Sequence, residues 1–431
     1  MAEASTLHRA LIDALIGRGA LGDSRIEAAF RAVPRHLFLP GIPLDEVYRD
    51  QAIPTKIVDG EAISSSSQPE MMAIMLEQLE LEPGLSVLEI GAGTGYNAAL
   101  MAHLVGEAGT VTTVDLDADL VDGARAHLTA AGLERVRVVL GDGGLGYPGG
   151  APYDRILLTV GAWDIAPAWR EQLRPGGRLV LPLTVGGSQK SVAFVRAEDQ
   201  LVSDSVKDCA FMRLRGAFAG PPTRVCLGGT PYLRIHVRDP LAVDAEAAYA
   251  VLNGAAIDLP TGIKVTGREV YGGLVLWLAL REPGFCWLEA VGAEVDARAV
   301  PPLFAVAGKY RSAVGVFDAG AAGFYMRPLG DAFDAEAAPR PVELYVRALG
   351  QSDGIARRLC RHAQAWDAAG RPDSDGLRIR ALPIDVAYEP AVNEHVIEKR
   401  WTRLVLDWTF YKRASAGGAP APRQPAARTT A

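Results

Sequence analysis

Four serines in a row, Ser64, Ser65, Ser66 and Ser67, run into Gln68 and Pro69. An extended apolar stretch precedes them and an amphipathic pattern follows, whereas a flexible linker would continue in Gly and Ser. Hydroxyls held between structured elements can orient a ligand oxygen, or they can cap the next helix or form a turn. A second constellation is Val87-Leu-Glu-Ile-Gly-Ala-Gly-Thr-Gly-Tyr96, a buried strand entering a glycine turn that opens a helix. Gly91, Gly93 and Gly95 remove side chains where backbone must meet a ligand. A dinucleotide fingerprint, GxGxxG, would put its last glycine at position 96, where Tyr96 stands. The spacing GxGxG favours S-adenosyl-L-methionine over NAD. About 20 residues on, an acidic residue should end the next strand and accept hydrogen bonds from both ribose hydroxyls. Asp115 stands there. Glu89 precedes the loop, and Asp142, in Leu140-Gly-Asp-Gly143, follows the third strand where an adenine amino group would lie, with Gly143 beside it. The alternatives are glycines that only permit strand–helix packing and a solvent-facing turn at Asp142.

These residues need elements to hold them. Residues 6–40 read as two short helices, the first capped by Ser5 or Thr6 and the second by Asp23. Residues 47–63 read as extended, and Pro69–Leu79 as a helix with Met72, Met75, Leu76 and Leu79 on one face. Strands at 86–90, 110–115, 136–140, 154–160 and 178–183 alternate with helices at 97–105, 120–131 and 166–173. That rhythm predicts a mostly parallel, doubly wound α/β sheet. Strands at 191–195 and 201–206 should close its edge. The pattern changes after a Gly- and Pro-rich stretch. The expected division is residues 1–212 as the first domain, 213–231 as linker, 232–413 as an α+β accessory domain that recognises substrate, and 414–431 as a disordered tail. In the accessory domain 232–238, 274–280, 343–348, 377–381 and 401–411 read as strands, and 244–253 and 354–368 as helices.

The bulk composition removes several functions. The formal net charge of the 431 residues is −7, so a broad nucleic-acid surface is not expected. No apolar run approaches the roughly 18–20 residues that span a bilayer, and the N-terminus lacks a secretory pattern, so no membrane partner and a cytoplasmic location are expected. The four cysteines contain no CxxC pair and the histidines no HExxH spacing, so no metal is proposed.

Residues 5–212 resemble the protein-L-isoaspartate O-methyltransferase family. The resemblance is carried by Phe30-Arg-Ala-Val-Pro-Arg-His-Leu-Phe, Tyr48-Arg-Asp-Gln-Ala-Ile-Pro, the glycine loop, Gly141-Asp-Gly-Gly-Leu-Gly-Tyr-Pro, Ala151-Pro-Tyr-Asp-Arg-Ile and Leu173-Arg-Pro-Gly-Gly-Arg-Leu-Val. The block GDGxxGxP followed by APxDRI is more specific than the loop. The resemblance implies a Rossmann-like methyltransferase domain and S-adenosyl-L-methionine as cofactor. It makes Ser67 the catalytic hydroxyl, through Ser67-Gln68-Pro69. Ser64, Ser65, Ser66 and Gln68 would lie toward the cofactor or the peptide entry. Tyr48 and Asp50 would shape the substrate mouth, and Trp163 sits on the carboxyl edge of the sheet, with packing as the alternative for all three.

The sequence departs from the repair enzymes. Ser66 replaces an apolar residue, the serine run is extended, Arg213 stands where a proline is usual, and a second domain follows. Long forms with SSSSQP resemble the methyltransferases of lanthipeptide and ATP-grasp peptide maturation. The leading expectation is therefore esterification of an Asp side chain in a modified ribosomal peptide, leading through succinimide to isoAsp or a retained aspartimide. The alternative is repair methylation of L-isoaspartyl residues in damaged proteins. An alternative of another class is an inactive S-adenosylmethionine-binding interaction module. A small-molecule O-methyltransferase would need a His or Lys base, and none stands in these motifs.

Overall fold

The computed structural model describes residues 2–237, 243–292, 300–306, 310–318, 320–328, 340–350 and 353–408. Two short strands, β1 (Ile53–Val58) and β2 (Glu61–Ser66), form an antiparallel hairpin that carries the serines. The helix Pro69–Leu79 follows. Its buried Met72, Ala73, Met75, Leu76 and Leu79 repeat at helical spacing, and Pro69 occupies the first turn, where its missing N–H leaves nothing unpaired. The first helix spans Ala2–Gly17, so it starts ahead of the expected caps, whereas Asp23 does cap Ser24–Ala32 by accepting from the Arg25 N–H.

The strands β3 (Ser86–Ile90), β4 (Thr110–Asp115), β5 (Arg137–Leu140), β6 (Tyr153–Leu158) and β7 (Leu173–Val185) pair in parallel in the order β5-β4-β3-β6-β7. Val87, Leu88, Glu89 and Ile90 are all at most 1% exposed, as expected for a central strand covered on both faces. The chain winds to one side of β3 and then to the other. Its ligand crevice therefore lies at the carboxyl ends of these strands. The antiparallel strands β8 (Ser188–Ala197) and β9 (Gln200–Asp208) extend the sheet.

A second, antiparallel sheet contains β10 (Arg224–Cys226), β11 (Leu233–Val237), β12 (Ala256–Val265), β13 (Phe285–Val291), β14 (Phe304–Val306), β15 (Tyr310–Asp318), β16 (Ala321–Met326) and β17 (Val342–Gly350). Their order is β10-β11-β13-β15-β16-β17-β12, with β14 beside β15. The helix Asp353–Ala368 buries Ile355, Ala356, Leu359, Ala363 and Trp366 in the core of this sheet.

Three features differ from the expectations. The run Leu274–Leu280 is helical rather than extended, following a π turn at Val270–Leu274. It is buried almost all round, and a continuous apolar run does not separate a buried helix from a buried strand. Strands β18 (Arg378–Pro383), β19 (His395–Glu398) and β20 (Thr402–Asp407) do not join the second sheet. They return to the first, in the order β9-β18-β20-β19, so β9 is not its edge. The stretch 213–231, expected as a linker, is held against the first sheet: the Leu214 N–H donates to the Gly161 oxygen at 2.8 Å and the Ala217 N–H to Asp142 Oδ2 at 2.7 Å. Residues 414–431 lie outside the described residues. Among the described residues no helix is long and apolar enough to cross a membrane.

The two sheets are joined by specific contacts. Fully buried Lys190 of β8 places its Nζ 2.5 Å from Asp208 Oδ1 of β9, and the Ser374 hydroxyl lies 2.7 Å from that oxygen and 3.0 Å from the Gly272 oxygen of the π turn. The Trp287 indole donates to the Gly187 oxygen at 3.0 Å, and Leu276 enters the apolar core of the first sheet.

Candidate active site

A cavity of about 450 Å³ opens at the carboxyl ends of β3, β4 and β6. Its walls include the serine segment Ser64–Gln68, the loop Gly91–Thr94, Asp115, Gly143, Thr159 and the strap Asp208–Arg215. The sequence elements separated most widely along the chain thus converge on the switch point of the sheet.

The three loop glycines have different reasons. A Cβ on Gly91 would lie 2.7 Å from Thr159 Oγ1, so strand β6 requires its absence. Gly95 adopts φ +86° against Ala124 and Leu128 of the helix Ala118–Ala130, which is a packing demand. Gly93 is the one that faces the serines, with Ser65 O and Ser64 Oγ as its nearest neighbours. Its N–H donates to Asp115 Oδ2 at 2.9 Å, and Asp115 Oδ1 receives only the long 3.4 Å contact from the Asp117 N–H. A carboxylate has about four acceptor sites. Asp115 therefore keeps capacity for hydroxyl donors in the cavity.

Glu89 does not line the cavity. It is fully buried beneath the loop, where Asn97 donates to Oε1 at 2.7 Å and Thr113 to Oε2 at 2.6 Å. Burial pushes its carboxyl up to about 7, against the pull of these two hydrogen bonds. It ties β3 to β4 and to the helix Tyr96–Val105. Asp142 is also absent from the wall. Its Oδ1 accepts from the Gly144 N–H at 2.9 Å and its Oδ2 from the Ala217 N–H at 2.7 Å, one backbone donor on each oxygen, as at Asp115.

Ser64 and Ser66 are buried, Ser65 and Ser67 are half-buried, and all four line the cavity. Thr55 donates to Ser64 Oγ at 3.1 Å. Ser66 Oγ lies 3.2 Å from Arg35 Nη2. Arg35 was not singled out from the sequence. It is completely buried and donates to the carbonyl oxygens of Val47, Arg49, Gln51, Ser66 and Ser67 at 2.9–3.3 Å. Burial lowers its pKa, but its charge persists, behind the serines and held by backbone carbonyl oxygens and the Ser66 hydroxyl.

The expected substrate residues lie elsewhere. The Asp50 carboxylate takes the Glu70 N–H at 2.9 Å, the Gln68 amide at 3.1 Å and Arg18 at 2.7 Å, capping the helix after the serines. Tyr48 is buried, its hydroxyl 2.6 Å from His36 Nδ1. Neither lines the cavity, because helix capping and core packing claim their polar atoms first. Trp163 lines a second cavity instead. Lys56 on β1 and Arg215 on the strap both meet Asp117, at 2.9 and 2.8 Å, and join hairpin to strap above β4.

The family model for protein-L-isoaspartate(D-aspartate) O-methyltransferase matches residues 6–218. The protein-L-isoaspartate O-methyltransferase of Methanopyrus kandleri is 42% identical over 208 residues, which are 48% of this chain and 90% of that protein. That of Methanosarcina mazei is 43% identical over 181 residues, 42% of this chain and 72% of its own length. A solved protein-L-isoaspartate O-methyltransferase overlays 92% of this chain and 98% of its own, with 22% identity and a TM-score of 0.48. With a relative of such identity matched over nine-tenths of its length, this chain belongs to the protein-L-isoaspartate O-methyltransferase family, whose members are S-adenosylmethionine-dependent protein carboxyl O-methyltransferases.

Proposed function

We propose that the chain esterifies the free carboxylate of L-isoaspartyl residues in peptides or proteins. The observation that carries this reading is the meeting of Ser67 with the Gly93–Asp115 pair in one cavity. The Gly91–Thr94 backbone and Asp115 would hold S-adenosylmethionine, with Ser64 and Ser65 beside it. When bound, it supplies an electrophilic methyl group.

The remaining work falls to uncharged groups. A carboxylate with a pKa near 4 is ionised at pH 7 and needs no base. Ser67 donates its hydroxyl hydrogen to one carboxylate oxygen and leaves the other free to react. A cation gripping the same oxygens would stabilise the charge of the ground state, which the product lacks. Arg35 acts from behind, fixing the Ser67 backbone without touching the acceptor. The hairpin and strap cover the cavity and limit water. In the ester, the next backbone nitrogen can attack the carbonyl carbon, forming a C–N bond and expelling methanol. Water then opens the succinimide to aspartate or isoaspartate.

The matching relatives are named for the L-isoaspartate reaction, which favours this acceptor over the dedicated Asp expected from the serine run. A second reading, esterification of an Asp in a modified peptide, draws on the second sheet, which adjoins the acceptor side of the cavity. Labelled S-adenosylmethionine with peptide pairs differing only in Asp or isoAsp separates them. Incorporation into isoAsp peptides alone, lost in Ser67→Ala, is expected. Incorporation into Asp peptides alone would replace the first reading by the second.

A further inference from the structure

A second cavity, of about 460 Å³, lies between the two sheets. It shares Cys209, Ala210, Phe211, Arg213 and Tyr271 with the first, so the two are separated only by the strap and one tyrosine. Its floor comes from the β7–β8 turn and its roof from β11, β13 and β15. Six aromatic rings face it: Trp163, Phe211, Tyr271, Phe285, Trp287 and Tyr310. The rings of Tyr271 and Trp287 stand 6.1 Å apart at 57°. On its wall His236 Nε2 lies 2.6 Å from a Glu289 carboxylate oxygen, so that carboxylate already has a partner, and Arg213 stands at the border with the first cavity.

We infer that this cavity is an acceptor-peptide subsite that takes an aromatic side chain flanking the esterified residue. The inference rests on the peptide-carboxylate reading above. A peptide with its carboxylate at Ser67 has to leave the first cavity. The side over β4 is crossed by Lys56, Asp117 and Arg215, and the hairpin is tied to the second sheet by Arg224 and Glu61 at 2.6 Å. Phe211, Arg213 and Tyr271 line both cavities, so on this side only the strap and Tyr271, whose hydroxyl donates to the Cys209 oxygen at 3.0 Å, stand between the first cavity and the aromatic one. The volume lies within the range of ligand pockets, and aromatic rings at such spacing favour a further ring packed edge-to-face or offset. Neither a glycine loop nor an unpaired carboxylate marks this cavity as a nucleotide site.

The test uses the full chain and isoAsp peptides on an alanine background, with one Phe moved through the two positions on either side of the acceptor. Steady-state kinetics and calorimetric binding in the presence of S-adenosylhomocysteine are read together. At one position Phe is expected to lower KM and Kd at least tenfold, with kcat little changed. Trp287→Ala should bring the Ala-to-Phe KM ratio close to one. Because Trp287 also bonds Gly187, Thr223→Trp provides an independent variant that fills the cavity without removing a contact between the sheets. It should abolish the preference too. Methylation without any Phe preference, or a preference that survives both variants, overturns the subsite. Phe-dependent binding that both variants remove, with no isoAsp peptide methylated, upholds the subsite and overturns the acceptor.

Discussion

Arg35 Nη2 donates to the carbonyl oxygen of Ser67 at 2.9 Å and to that of Ser66 at 3.3 Å, from a site without solvent exposure. One guanidinium thereby fixes the turn from β2 into the helix Pro69–Leu79. It also satisfies carbonyl groups that a strand ending inside the protein would leave unpaired. Lysine cannot replace it, since its ammonium lacks the planar fork that reaches five carbonyl oxygens. Arg35→Lys is expected to lose roughly 2–3 kcal/mol of stability, the range for buried groups left without partners. The urea midpoint measures this, and kcat should fall with it because Ser67 loses its anchor. An unchanged midpoint would refute the anchoring role.

Ser67→Ala should behave differently. Ser67 lines the cavity, and its link to Arg35 runs through its backbone oxygen, which the substitution keeps, so the melting temperature should stay put. The loss should appear as kcat lower by on the order of 10²-fold, comparable with removing one positioned donor, while affinity for S-adenosylhomocysteine persists. Ser66→Ala, which removes a partner of Arg35, should instead shift stability more than rate. If the two variants exchange phenotypes, Ser66 rather than Ser67 is the hydroxyl that meets the acceptor.

Much of this arrangement is legible in the sequence where a local period or a turn defines it. The helix Pro69–Leu79 and the strands Ser86–Ile90 and Thr110–Asp115 have the expected bounds because apolar spacing and Pro or Gly punctuation agree there. Asp115 is likewise readable, since the end of a parallel strand places it at the crevice. Arg35 leaves no such signal: a single Arg in Val-Pro-Arg-His acquires its role from carbonyl groups up to 32 residues away. Asp50 and Asp142 are acidic residues beside the expected site. The Asp50 oxygens take the Glu70 N–H, the Gln68 amide and Arg18, and each Asp142 oxygen takes one backbone N–H, partners that residue type does not reveal. The pairing of β18 with β9 joins Arg380 to Val202 and has no local trace at all.

Glu89 gives a pH dependence. Burial raises its folded pKa to about 7 from an ordinary 4.5. The native state then holds a proton that the unfolded state has lost between these values. Stability should fall as pH rises from about 4.5 to 7, by up to about 3 kcal/mol over 2.5 units at 1.36 kcal/mol each. Glu89→Gln keeps an acceptor for Asn97 or Thr113 and cannot ionise. Its melting temperature should lose that slope and equal or exceed the parent's at pH 8. A slope retained in the variant would assign the dependence to another group.

The hairpin–strap tie over β4 should govern how tightly the cavity closes. Asp117→Asn leaves Arg215 facing a neutral amide and Lys56 with Asp119 as its remaining carboxylate, so the link between hairpin and strap is lost. A several-fold rise in KM for S-adenosylmethionine is expected, with kcat less affected. The difference between parent and variant should shrink as salt is added, because partly exposed pairs are screened. A salt-independent difference would point to altered backbone geometry at Leu116 rather than to the charges.

The matched relatives cover the first half of this chain, yet that half does not hold a complete sheet here. Leu201 on β9 and Ile379, Ala381, Leu404 and Leu406 on the returning strands share one buried core with Leu181 and Phe194. Residues 1–231 alone would expose that apolar face and the open edge of β9, a template for pairing with other chains. This fragment should aggregate on expression. Residues 1–231 joined by a short Gly/Ser linker to 373–408 restore the pairing of β9 with β18 and should give a soluble monomer that S-adenosylhomocysteine stabilises against heat. Asp208 would keep Lys190 and Ser374 in that fragment, so the buried ammonium stays paired. A monomeric 1–231 that melts where the joined fragment melts would show that the returning strands decorate the sheet without stabilising it.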